Sequence, residues 1–180
     1  MTVQNIRTRA RKIKLLLLDV DGVLTDGRIY YLPSPHGGMF ETKTFHSRDG
    51  LGIRFAHQAG LQTGILSGRS SPVVEFRAKE LGFHFIQEAA LEKLGPFQRI
   101  LRAAGLKAEQ VCYMGDDIVD LPVLKSVGLA VGVAGGHPAL RRHVHYMTRN
   151  PAGLGAVRET VELILEAQGK WKGILKRFLA

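Results

Sequence analysis

The sequence predicts an α/β fold: a Rossmann-like, doubly wound parallel sheet with one β-hairpin excursion. Three observations carry this. Four consecutive leucines, Leu15–Leu18, follow Ile13 without polar alternation, the pattern of a strand buried on both faces. Similar short apolar runs recur downstream, separated by amphipathic stretches of helical period. Glycine or proline marks most of the junctions.

The first strand is expected over Ile13–Asp19. Arg28–Leu32 and Met39–Phe45 carry strand-forming residues on either side of PSPHGG, which makes them a hairpin. Asp49–Ala59 reads as an amphipathic helix closed by Gly60. A strand over Gln62–Leu66 leads to a helix over Pro72–Leu81, with proline in its first turn and Gly82 as its stop. A strand over Phe83–Ile86, a helix over Glu92–Ala104 and a strand over Gln110–Met114 continue the alternation. A helix near Leu121–Ser126, strands over Leu129–Val133 and Tyr146–Thr148 and a helix over Ala156–Gln168 complete it. Residues 1–180 are expected to form a single domain, with a basic extension over 1–12 and a basic tail over 169–180.

Composition narrows the function classes. A chain of 180 residues can bury a full-sized core, and 45% hydrophobic with 23% charged residues is ordinary for a globular protein. The single cysteine, Cys112, lies in an apolar run, which excludes a disulfide framework. No apolar run is long enough to span a bilayer, and Ile13–Leu18 is too short for a signal-peptide core. A cytoplasmic location without a membrane partner is therefore expected. Of the net charge of +9, part sits in Arg7, Arg9, Arg11, Lys12 and Lys14 and in Lys170, Lys172, Lys176 and Arg177. The N-terminal cluster has no interleaved aromatics and the chain has no nucleic-acid-binding motif, so solvated, partly mobile ends are expected and no nucleic-acid partner. Seven scattered histidines have no ligand spacing, which argues against zinc.

Two carboxylates, Asp19 and Asp21, stand where the first strand should end, and Gly22 lets the chain turn. Open α/β sheets collect ligands at the carboxyl ends of their strands. Two like charges this close require a cation or a shared proton.

The motif DVDGVLTDG resembles the first motif of the haloacid dehalogenase superfamily, most of whose members are phosphatases. Ser67 in LQTGILSGR, Lys93, and Asp116, Asp117 and Asp120 in VCYMGDDIVD follow in the family's order. The resemblance implies that Asp19 is the nucleophile and Asp21 the general acid/base. Ser67, amides near Gly68, and Lys93 would hold the phosphate. Mg²⁺ would be bound by Asp19, the carbonyl of Asp21, and Asp116, while Asp117 and Asp120 orient Lys93 or the metal's waters. The spacings leave no room for the extra domain of capped members, so the capless subclass and an uncovered site are implied.

Together with FHSRDGLGIR and GAVRE, these motifs are similar to those of the 3-deoxy-D-manno-octulosonate 8-phosphate phosphatases, a magnesium-dependent, homotetrameric family. A neighbouring family acts on nine-carbon sugar-acid phosphates; a non-catalytic scaffold with the same fold is disfavoured by the intact acids. The resemblance implies substrate contacts from His46, Ser47, Arg48, Asp49, Gly50, Arg54, Arg69, Arg77 and Lys93. The chain departs from the family pattern at four places. QEAALEK is one residue longer than QGxxxK, and His46 stands where asparagine is usual. Ala152 and Leu154 interrupt a glycine-rich segment, and the tail WKGILKRFLA is bulky and basic.

Overall fold

The computed structural model describes residues 3–179. Six strands form one sheet in the order β5-β4-β1-β6-β7-β8, with every neighbouring pair parallel. The strands are β1 (Leu15–Leu18), β4 (Gln62–Leu66), β5 (Phe85–Gln87), β6 (Val111–Gly115), β7 (Leu129–Ala134) and β8 (Tyr146–Pro151). A separate antiparallel pair, β2 (Tyr30–Pro33) and β3 (Met39–Thr42), is the hairpin. The predicted doubly wound parallel sheet is thus the observed one.

The leucine run explains itself in this setting. Leu16 and Leu18 enter the core on one face, with helices α2 (Ser47–Gln58), α3 (Pro72–Leu81) and α6 (Ala156–Ala167). Leu15 and Leu17 enter the core on the other, with α4 (Leu94–Ala104) and α5 (Leu121–Leu124). All four leucines are fully buried, so neither face tolerates a polar residue.

From β1 the chain moves to β4 and β5 on one side and then returns to β6, β7 and β8 on the other. The reversal opens a crevice at the carboxyl ends of β1 and β6. Asp19 follows β1, Ser67 follows β4 and Asp116 follows β6.

Both chain ends differ from expectation. The extension over 1–12 contains helix α1 (Val3–Arg11), which packs on α6 with Ala10 buried. Arg9 Nη1 donates to the carbonyl of Gly128 at 2.7 Å, and Gln168 Nε2 donates to Ile13 O at 2.8 Å. The tail contains helix α7 (Trp171–Lys176), whose Ile174 is buried. Trp171 and Phe178 both pack on Phe55 of α2, at 5.8 and 5.7 Å between ring centres. The ends are docked because Ala10, Trp171 and Ile174 find partners on α2 and α6, while their charged residues and several outward apolar ones stay exposed.

Smaller differences lie at element boundaries. Helix α2 begins at Ser47 because His46 Nδ1 accepts from the amide of Arg48 and caps it. Helix α4 begins at Leu94, leaving Lys93 at its cap position. Strand β8 runs on to Pro151.

Candidate active site

The turn after β1 sets the centre. Asp21 is extended and Gly22 has φ +83°. A Cβ at Gly22 would stand 2.1 Å from Asp116 Oδ2, so glycine is required both by the turn and by the approach of Asp116. The carboxylates of Asp19, Asp116 and Asp120 each offer an oxygen within 4.8 Å of the others.

Lys93 enters this cluster as its only paired cation among the described residues, and it is 2% exposed. Its Nζ lies 2.9 Å from Asp19 Oδ1 and 2.6 Å from Asp120 Oδ1. Burial alone would lower the Lys93 pKa, but Asp19 and Asp120 outweigh it and hold the ammonium above its usual range. The longer QEAALEK loop delivers this lysine with Ala89 at φ +53°, the one positive-φ residue other than glycine among the described residues.

Asp120 is a positioning group. Its Oδ1 also accepts from the Tyr113 hydroxyl at 2.6 Å, and its Oδ2 accepts from the amides of Asp116 (2.9 Å) and Asp117 (3.2 Å). With both oxygens occupied, Asp120 has little left for a cation, although it belongs to the acidic cluster. Asp19 spends one oxygen on Lys93 and keeps the other, and no hydrogen-bond donor holds the Asp116 carboxylate among the described residues. Burial, partly offset by Lys93, raises Asp19 to about 6. Burial, reinforced by Asp19 and Asp120, raises Asp116 to about 7. A buried and a half-buried carboxylate, only partly offset by Lys93, suit a hard divalent cation.

A cavity of about 220 Å³ opens above them, bordered by Asp19, Asp21, Ser67, Gly68, Arg69, Lys93, Asp116 and Asp117. The predicted nucleophile, acid/base, serine, lysine and metal-binding acids therefore converge on one space, together with Arg69. Lys43 and Glu41 join the site without any sequence signal. Lys43 is buried in the last turn of chain before α2, and its Nζ lies 2.6 Å from Asp21 Oδ1 and 3.4 Å from Glu41 Oε1. Arg69 Nη2 meets Glu41 Oε2 at 2.7 Å. These pairs tie the hairpin to Asp21. No residue pattern marks Lys43 in the sequence.

The remaining expected substrate contacts lie outside the cavity. His46 caps α2, while Ser47, Arg48 and Arg54 face solvent. Asp49 is engaged within the chain: its buried carboxylate accepts from the amides of Gly155 (3.0 Å) and Arg158 (2.8 Å), clamping α2 to the start of α6. Burial raises its pKa, and those amides oppose the rise. Gly50 is buried because the Arg77 guanidinium packs against it, and Arg77 pairs with Glu80 at 2.7 Å. Asp49, Gly50 and Arg77 thus have structural partners within the chain.

Comparison with known proteins agrees with this geometry. The model of the haloacid dehalogenase-like hydrolases matches residues 49–128. The 3-deoxy-D-manno-octulosonate 8-phosphate phosphatase of Escherichia coli K12 is 43% identical over 166 residues, covering 92% of this chain and 86% of the relative. This chain belongs to that phosphatase family. It is an enzyme of the haloacid dehalogenase-like class, a phosphatase. The structure of the Moraxella catarrhalis family member, in complex with a magnesium ion, a phosphate ion and a KDO molecule, superposes with a TM-score of 0.92 at 37% identity. That match covers 98% of this chain and 99% of the other. The Yersinia pestis enzyme superposes with a TM-score of 0.88 at 42% identity, over 94% and 89% of the two chains. Among the described residues no helix is long and apolar enough to cross a membrane.

Proposed function

We propose that this family member is a cytoplasmic, Mg²⁺-dependent phosphomonoesterase that releases phosphate from 3-deoxy-D-manno-octulosonate 8-phosphate through an aspartyl-phosphate. The observation that carries the reading is the buried Asp19, held by Lys93 at 2.9 Å and facing a cavity shared with Ser67 and Asp116. The donors fit Mg²⁺, which Asp19, Asp116 and the carbonyl of Asp21 would hold. When bound, it neutralises charge so that an anionic phosphate can approach an anionic carboxylate.

The protein's own groups do the rest. Lys93 fixes Asp19 Oδ1 and keeps the nucleophile oriented. Asp19 attacks phosphorus as the bond to the sugar oxygen breaks, and Asp21 delivers a proton to that leaving alkoxide. Asp21 then takes a proton from the water that attacks the aspartyl-phosphate, returning Asp19 and free phosphate. The Ser67 hydroxyl and amides near Gly68 hold phosphate oxygens. Arg69, half exposed at the mouth, is placed for the sugar acid's carboxylate.

The site is uncovered within one chain, and the hairpin exposes Tyr31, Leu32, Met39 and Phe40. A homotetramer joined through the hairpins would cover both. Replacing Ile29 and Tyr31 with aspartate should dissociate it, as read by light scattering, whereas deleting residues 33–38 should be tolerated.

The functional test is phosphate release from a panel of eight- and nine-carbon sugar-acid phosphates, with Mg²⁺ or with chelator. The reading expects the eight-carbon ester to lead and chelator to silence turnover. Preference for a nine-carbon ester would move the assignment to the neighbouring activity. Asp19→Asn should retain under about 1% of the rate, a loss above roughly 2.7 kcal/mol of transition-state stabilisation.

A further inference from the structure

The two terminal segments carry the whole net charge of the protein. Residues 1–18 and 167–180 contain nine lysines and arginines and no acid, while the chain between them is balanced at 16 cations and 16 acids. Sequence separation hides what docking does with this charge. Helices α1 and α7 both pack on α6, and a groove of about 560 Å³ opens between them. Arg7, Arg11 and Lys172 border the groove, with Trp171 and Leu175 lining it and Glu166 as its one acid.

The outward face of this region is also apolar. Ile174 and Trp171 turn inward, but Leu175 is 40% exposed and Leu179 83%, one turn apart and flanked by Lys172 and Lys176. Phe178 is 65% exposed even while it touches Phe55, and Val3 is 71% exposed one turn before Arg7. Protruding leucines and an aromatic among cations are the composition of a helix lying in a membrane interface. A nucleic acid would reward the cations and leave the leucines without a role.

We propose that the α1–α7 surface docks peripherally on an anionic lipid bilayer. The cations face lipid headgroups, and Leu175, Phe178 and Leu179 enter the headgroup boundary. No segment spans the membrane. The catalytic cavity opens at the carboxyl ends of the strands, whereas α1 ends just before β1, and α7 follows the end of α6, where Gln168 bonds the carbonyl of Ile13 ahead of β1. Docking through this surface therefore leaves the cavity open to solvent.

The protein contains one tryptophan, and it lies in this groove. The full-length protein is mixed with phosphatidylcholine vesicles, with or without about a third phosphatidylglycerol, and read by Trp171 emission and by co-sedimentation. The expected result is a blue shift and sedimentation with anionic vesicles only, weakened at least tenfold between low and high salt. Leu175→Ser with Leu179→Ser should weaken binding about tenfold and leave phosphate release unchanged, since both side chains are exposed and far from the cavity. Absence of binding to anionic vesicles, or equal binding to neutral ones, would overturn the proposal. So would unaltered binding by the double-serine variant, which would reduce the effect to adsorption of charge. Displacement by an oligonucleotide, with the leucines inert, would assign the surface to nucleic acid instead.

Discussion

The two edges of the central sheet handle charge in opposite ways. At the edge where strands begin, cations meet carbonyls one by one: Arg11 on Ala167 at 3.2 Å and Lys170 on Ala59 at 2.7 Å at the ends of α6 and α2, and Arg9 on Gly128 at 2.7 Å in the loop before β7. All three satisfy free acceptors, and the two at helix ends also complement the helix dipole. At the edge where strands end, three acids converge and one lysine is shared between two of them. The first edge is locally satisfied and stabilises the fold. The second holds like charges together and is stable only because Lys93, Tyr113 and two backbone amides surround Asp120. Catalytic chemistry belongs to the edge whose charge is left over.

Substitutions can break this contrast. The largest effect should come from Lys93→Met, which strips a buried cation from two buried acids. A loss of about 3–5 kcal/mol in urea denaturation is expected, with turnover abolished. Asp49→Ala removes a carboxylate that holds two amides at the start of α6, so a loss of about 1–3 kcal/mol is expected with KM nearly unchanged. A large rise in KM at full stability would return Asp49 to the substrate.

The acid cluster also predicts a pH dependence. Asp19 and Asp116 are raised from 3.8 to about 6 and about 7 in the folded protein. The folded state therefore binds more protons than the unfolded chain between about pH 4 and 7, and metal-free stability should fall as pH rises through that window. Mg²⁺ binds the ionised acids, so it should raise Tm by several degrees near pH 7.5 and far less near pH 5. Scanning calorimetry at the two pH values checks the sign. The smallest effect belongs to Ala89→Gly, which relieves a left-handed alanine at some entropic cost; a change within about 1 kcal/mol is expected.

Much of this edge was legible because local sequence records it. Burial on both faces leaves Leu15–Leu18 unbroken, and a strand-end turn leaves Asp19, Asp21 and Gly22 adjacent. Asp116 and Asp120 stand one turn apart for the same local reason. Residues whose partners are remote were not legible. The clamp made by Asp49 was hidden because its amide partners lie 106 and 109 residues away. The tail resembled a free end because Phe55, its anchor, lies on α2. Lys43 sits near a hairpin and carries no periodic signal, so only the fold joins it to Asp21.

The most direct measurement of the account is rapid acid quench of the enzyme turning over phosphate-labelled substrate with Mg²⁺, followed by peptide mapping. Label on the peptide containing Asp19, absent in Asp19→Asn and discharged on longer incubation, is the expected result. Rapid turnover with no protein-bound phosphate at any quench time, or label at another residue, would contradict it.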